Sequence, residues 1–252
     1  GTWTEENPIT IDAASDVSLL IDGNNEYAFF FDAVQRSLIV ASRTQPGGNW
    51  AIELVDNASP IVGRSPQPEI GSDGTIHVAY LDIAESKVKY AKKTPAGSWQ
   101  AENITAILEF DPSNVVLALD TLGVPVISFR DGGKDSVFLA ELDAGAWQIS
   151  EVQGDFADFS GSDIEIFIDN FNKPWIIYNY LTSIGELRMV YRTEQGSWNP
   201  VSVIANDAQI AEIFDFHLVD RDFYIIGKKD QINNRGLGLL RSINGLNTFS
   251  DP

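Results

Sequence analysis

Cysteine is absent from this 252-residue chain. Disulfides, thiolate metal sites and a cysteine nucleophile are therefore excluded. Histidine is nearly absent. His77 and His217 are the only two, each inside a strand-like pattern, and they give a zinc site no support. No apolar run reaches the roughly 18 residues of a membrane-crossing helix. No glycine-rich phosphate loop leads a strand into a helix, and GxSxG does not occur, which argues against a nucleophile-elbow serine hydrolase. Amphipathic helices are missing too. The stretch NDAQIAEIFD is the one helix-like segment, and it reads as a loop with a single turn.

Basic residues are scarce: 17 Lys and Arg stand against 36 Asp and Glu, a formal net charge of −19. Such a surface repels phosphate backbones and anionic bilayers, so nucleic acid and membrane insertion are not expected. It suits cations, neutral polar ligands or basic partners. The chain opens with GTW and no initiator methionine, which fits a processed or trimmed chain. The expected location is extracellular or periplasmic, a leader having been removed.

A short turn ending in tryptophan keeps returning. QPGGNW, TPAGSW, DAGAW and EQGSW end at Trp50, Trp99, Trp147 and Trp198, and with Trp3 the spacings are 47, 49, 48 and 51 residues. A period of this size marks blades or a solenoid. Each unit holds three further apolar stretches, as in VVLALDTLG, VISFRD and SVFLAEL, rich in β-branched and aromatic residues and bounded by Gly, Asn and Asp. Four short strands in five units predict an all-β, five-bladed β-propeller with four antiparallel strands per blade. It would form one domain over residues 1–252, with repeats beginning near Trp3, Trp50, Trp99, Trp147 and Trp198. The segment TWTEENPI matches a Trp-bearing fourth strand with no first three before it. The last unit lacks a good fourth strand, so the N-terminal strand is expected to supply it and close the ring. NGLNTF, with Phe249 in the Trp place, is either an echo of the turn or a sign that the natural chain continues.

PEIGSDGTIHVAYLD, followed by KVKYAKKTPAGSW, resembles the repeats of bacterial extracellular propellers of the sialidase-like, Asp-box-related type. In architecture the Trp-ended repeats resemble the five-bladed tachylectin-type lectins. This resemblance implies a propeller fold more than an activity. A sialidase would need an arginine triad, for which Arg64 and Arg130 supply two members and Tyr180 a tyrosine, but no third central arginine is evident.

The recurring tryptophans read as wedges between blades, ring buried and N–H satisfied. Asp22, Asp73, Asp120, Asp169 and Asp220 read as turn braces. Trp175, outside the series, reads as core. Asp32, Asp82 and Asp131 end second strands; Tyr180 takes that place in the fourth unit, Asp230 follows two lysines in the last, and Lys228 is expected to add positive charge on the same side. With Arg64 and Arg130 they are expected at one rim around the channel mouth. Two uses remain open: strand-end acids can satisfy neighbouring backbone, or the ring can hold a glycan or other small polar ligand, a guanidinium giving a forked donor. The leading expectation is a non-catalytic, carbohydrate-binding, monomeric module. The alternatives are a glycoside hydrolase using aspartates of this face and a protein-interaction scaffold. No cofactor is expected, and Ca²⁺ in the acidic channel is the one candidate ion.

Overall fold

In a computed structural model of the chain, the described residues are 14–45, 47–104, 112–133, 136–152, 164–180, 186–199, 202–205, 212–219, 222–231, 234–242 and 249–250. They form strands and turns, with no helix among them. The first sheet holds β1 (Ala14–Asp22), β2 (Asn25–Asp32), β3 (Ser37–Thr44) and β4 (Ala51–Asp56). The second holds β5 (Val62–Ile70), β6 (Ile76–Asp82), β7 (Lys87–Lys93) and β8 (Gln100–Asn103). The third holds β9 (Pro112–Leu119), β10 (Pro125–Asp131), β11 (Ser136–Asp143) and β12 (Ala146–Glu151), and the fourth β13 (Ile164–Ile168), β14 (Pro174–Tyr180), β15 (Glu186–Tyr191) and β16 (Ser202–Ala205). The fifth holds β17 (Glu212–Val219), β18 (Asp222–Gln231), β19 (Asn234–Ser242) and β20 (Phe249–Ser250). Strands follow chain order across every sheet, as a meander joined by hairpins requires.

Two expectations need correction. The fourth place in the last sheet is taken by β20, whose Ser250 and Phe249 pair with Arg241 and Ser242. The Trp-like position of Phe249 therefore does belong to a strand. The N-terminal segment expected there lies outside the described residues. The helix-like stretch enters β17 from Glu212 onward: Glu212 and Ile213 pair with Lys228 and Gly227 of β18, and after a register shift the pairing resumes at Asp215 with Ile226.

The chain divides into two compact units, residues 1–119 and 120–252. In the first unit, the central strands are apolar on both faces. All seven residues of β6, IHVAYLD, are buried, and so are the last four of β2, FFFD. Strict alternation is lost because both faces of these strands are covered. Phe29, Leu38, Val40 and Val55 of the first sheet pack with Val62, Ile76, Val78, Tyr80 and Ala91 of the second. Trp99 joins this cluster, edge-on to Phe29 at 5.8 Å and 88°. It packs as a wedge, with two differences from the expectation: it is half-buried, and its Nε1, like that of Trp50, reaches no acceptor among the described residues.

The same interior holds charge. Lys89 Nζ lies 2.5 Å from Asp56 Oδ2, and the Tyr80 hydroxyl donates to that oxygen at 2.6 Å. All three residues are buried. Ala58 N–H donates to Asp56 Oδ1 at 2.8 Å, so the carboxylate is satisfied on both oxygens.

In the second unit, Phe129 and Phe138 stack at 5.6 Å, and Trp175 stacks on Tyr191 at 4.1 Å. Trp175 is core, as expected, and its Nε1 donates to Asp169 Oδ2 at 3.1 Å.

The turn from first to second strand is built alike in three sheets. Gly71, Asp120 and Asp169 donate their N–H to the carbonyls of Thr75, Val124 and Lys173. Gly74, Gly123 and Asn172 donate back to Gly71, Asp120 and Asp169. These last three donors all take positive φ (77°, 77° and 58°), which suits Gly and Asn. The acids brace these turns as expected. Asp73 Oδ1 accepts from Thr75 N–H, Asp120 Oδ1 from Leu122 and Val124, and Asp169 Oδ1 from Phe171 and Lys173.

Candidate functional site

The second-strand acids are buried rather than offered to a ligand. Asp32 Oδ1 accepts from the N–H groups of Val34 and Gln35 at 2.8 and 3.0 Å, and its Oδ2 accepts from the Gln35 side chain at 2.9 Å. Asp82 Oδ1 accepts from Ser59 Oγ at 2.5 Å and from Glu85 N–H at 3.1 Å. Asp131 Oδ1 accepts from Gly133 N–H at 2.9 Å. Each carboxylate thus satisfies donors in the turn it opens, an Asx brace. The expectation that these three project to an open rim is corrected on that ground.

Arg64 is also engaged. Its guanidinium pairs with Asp16 and stands 5.1 Å over the Phe31 ring, while Ser65 N–H donates to the same carboxylate at 3.2 Å. It clasps the first strand of one sheet to the first strand of the next. The β5–β6 register pairs Val62 with Asp82 and Arg64 with Leu81, so Arg64 and Asp82 do share one end of the second sheet. Arg130 is half-buried in β10 beside buried Asp131. Tyr180 ends β14 and Lys228 lies in β18, with side chains outside the described residues. His77 is packed, its Nδ1 2.5 Å from the Tyr90 hydroxyl. Among the described residues no three His, Asp or Glu side chains are placed to hold an ion.

An open groove lies instead at the other end of the first two sheets. Its volume is about 330 Å³, and its walls include Asp22, Asn25, Tyr27, Glu53, Lys93 and the apolar Ile70. That is near the lower end, about 300 Å³, of the range for small-ligand sites. The β1–β2 turn brings Asp22 and Asn25, β4 brings Glu53, and the end of β7 brings Lys93. Lys93 Nζ donates to both Glu53 oxygens at 2.7 and 2.5 Å, bridging the two sheets. The ammonium also stands 6.0 Å over the Trp99 ring. Burial raises the Tyr27 hydroxyl pKa, and the charges of Asp22 and Glu53 raise it further, so Tyr27 remains a donor at neutral pH. The wall therefore mixes carboxylate and amide acceptors with hydroxyl and ammonium donors over aliphatic surface. That inventory suits a neutral polyol.

The Lys93 arrangement recurs. Arg43 donates to Glu26 at 2.7 Å and lies 4.5 Å over Trp50. Arg192 forks onto both oxygens of Glu141 at 2.7 Å each and lies 5.2 Å over Trp198. The sequence shows Arg43 and Arg192 at equivalent third-strand ends and Asp22 as a turn acid, but it does not single out Glu53 and Lys93, because the ligand is expected at the second-strand ends. The available signal was a cation six or seven residues before each of three repeat tryptophans.

No known protein family matches the sequence, and no curated protein does. Solved structures do resemble it. AofleA from Arthrobotrys oligospora aligns with a TM-score of 0.63 at 13% identity, over 95% of this chain and 71% of that one. A polysaccharide lyase, an ulvan lyase bound to -[GlcA(1-4)Rha3S]-, aligns at 0.60 and 14%, over 94% and 68%. An exo-β-1,3-galactanase from Phanerochaete chrysosporium, with β-1,3-galactotriose, aligns at 0.54 and 15%, over 92% and 60%. Likeness at such identity is likeness of fold. The shared architecture makes the chain an all-β protein of β-propeller type, built of four-stranded antiparallel sheets.

Proposed function

We propose that the protein is a non-catalytic glycan-binding module: one five-bladed propeller domain, monomeric, working in an extracellular or periplasmic setting where glycan polymers are met. Five four-stranded sheets in chain order support the blade count. Asp32, Asp82 and Asp131 hold turns, so the ligand is assigned to the groove between the first two sheets.

The observation that carries the reading is the polar wall of that groove, which includes the Lys93–Glu53 pair. The architectural relatives whose structures hold sugars favour the same ligand class. A second reading, a glycoside hydrolase, is favoured by one observation: Asp22 and Glu53 line the same groove. Against it, both Glu53 oxygens accept from Lys93, so the carboxylate is already engaged by a neighbouring side chain.

A glycan array on the chain, run with and without EDTA, tests the proposal. Binding that survives EDTA and falls at least about tenfold in Glu53→Gln and Lys93→Met is the expected result. Release of new reducing ends from a bound glycan, abolished by Asp22→Asn, would establish the hydrolase instead. No binding to any neutral glycan would end the glycan reading.

A further inference from the structure

The three homologous turns share their backbone bonds but carry very different side chains at the tip. That place holds Asp73 in the second sheet, Leu122 in the third and Phe171 in the fourth. Leu122 and Phe171 are each 81% exposed. The fold does not require an apolar residue there, since Asp73 fills the same place and uses its carboxylate to brace the turn. In the other two turns the brace sits two residues earlier, at Asp120 and Asp169, and the tip side chain has no part in it. The turns touch: Thr121 N–H donates to Asn172 Oδ1 at 3.0 Å, and each partner is one residue from an apolar tip. Two large apolar groups are thus carried on turns joined by a hydrogen bond, against the hydrophobic cost of leaving them in water.

We infer that Leu122 and Phe171 form a platform for the C–H faces of a neutral polysaccharide, a contact additional to the groove. This rests on the glycan reading above. The surroundings select the ligand class. The exposed side chains around the tips, Thr121, Asn170 and Asn172, are neutral hydrogen-bonding groups suited to sugar hydroxyls. A formal charge of −19 repels sulfated and uronate polymers and anionic lipid. A flat ring and an aliphatic side chain on two hydrogen-bonded turns offer apolar surface to pyranose faces, and turns braced by Asp120 and Asp169 limit the ordering cost on binding.

Affinity electrophoresis of the full chain tests this, with a neutral galactan and a neutral xyloglucan as probes, alginate as the polyanion, and phosphatidylcholine vesicles in a parallel sedimentation assay. Leu122→Ala/Phe171→Ala should weaken binding to at least one neutral polymer by about tenfold or more, with an unchanged melting temperature because both side chains are exposed. Phe171→Trp should retain binding. Alginate should not bind. The platform is overturned if the double variant binds the neutral polymers within about twofold of wild type while Lys93→Met weakens them. It is also overturned if alginate binds more strongly than the neutral polymers, or if the tips instead carry the chain onto vesicles. If wild type binds no polysaccharide, the platform and the glycan reading fall together.

Discussion

Lys89 and Asp56 meet at 2.5 Å across two sheets, and both are buried. Removing one partner strands a charge in the core, which costs about 3–5 kcal/mol. Lys89→Met is expected to lower the unfolding free energy in urea by that amount. Lys89→Met/Asp56→Leu should recover most of it, because an apolar pair leaves nothing unpaired. A single-variant loss under about 1 kcal/mol would mean the pair is solvated. Burial pushes the Asp56 pKa up, but the hydrogen bonds from Lys89 and Tyr80 outweigh it and hold the carboxyl below its usual value. The stabilisation is therefore complete above the unfolded value of about 3.9 and is lost as pH falls through the lower folded value.

His77 gives a second pH dependence, at higher pH. Burial lowers its pKa against the opposing pull of Asp73, and Lys92 lowers it further. The unfolded chain takes up a proton below about pH 6.5 that the folded chain resists. Stability should therefore fall as pH drops from there towards the folded value, by at most about 1.4 kcal/mol per pH unit. His77→Gln should flatten urea midpoints measured between about pH 7 and 5, whereas His217→Gln controls for the other histidine. An unchanged slope in His77→Gln would sink this assignment.

The strand content and sheet order were legible because Trp50, Trp99, Trp147 and Trp198 count units and the apolar stretches between them are strand-length. Turn acids were legible for a local reason: an Asp opening a tight turn finds its donors within four residues, as Asp169 does. The groove was not, because Glu53 and Lys93 are 40 residues apart and meet only when two sheets stack. Asp32 misled because a strand-end acid looks the same in sequence whether it faces solvent or turns back onto Val34 and Gln35. Arg64 misled likewise, since its partner Asp16 lies 48 residues away.

Gly63 marks a close approach that nothing in VGRS announces. Its φ is +104°, and a Cβ there would lie 2.5 Å from Leu38 Cβ and 2.7 Å from Leu38 Cα. Leu38 is fully buried and the contact includes its backbone, so it cannot retreat without moving β3. Gly63→Ala is expected to cost at least about 2 kcal/mol from backbone strain and overpacking together. Gly123→Ala makes the comparison: φ is +77° but nothing stands within 4 Å, so only the strain of about 1 kcal/mol should appear. Equal losses in the two variants would mean that the Leu38 contact contributes nothing.

The Lys93–Glu53 bridge could matter for ligand or for holding two sheets together, and reversing its charges separates these roles. Both side chains are partly solvated, so the pair is worth only about 0–1 kcal/mol to stability. Glu53→Lys/Lys93→Glu restores attraction between the sheets but exchanges the donor and acceptor sides of the groove. If the bridge serves the fold alone, each single reversal should lower the melting temperature slightly, and the double variant should restore everything measured. If it serves a ligand, the double variant should regain the melting temperature yet stay at least about tenfold weaker in glycan binding, since a sugar's hydroxyls would meet the opposite hydrogen-bonding pattern. Recovery of both binding and stability in the double variant would place the ligand elsewhere.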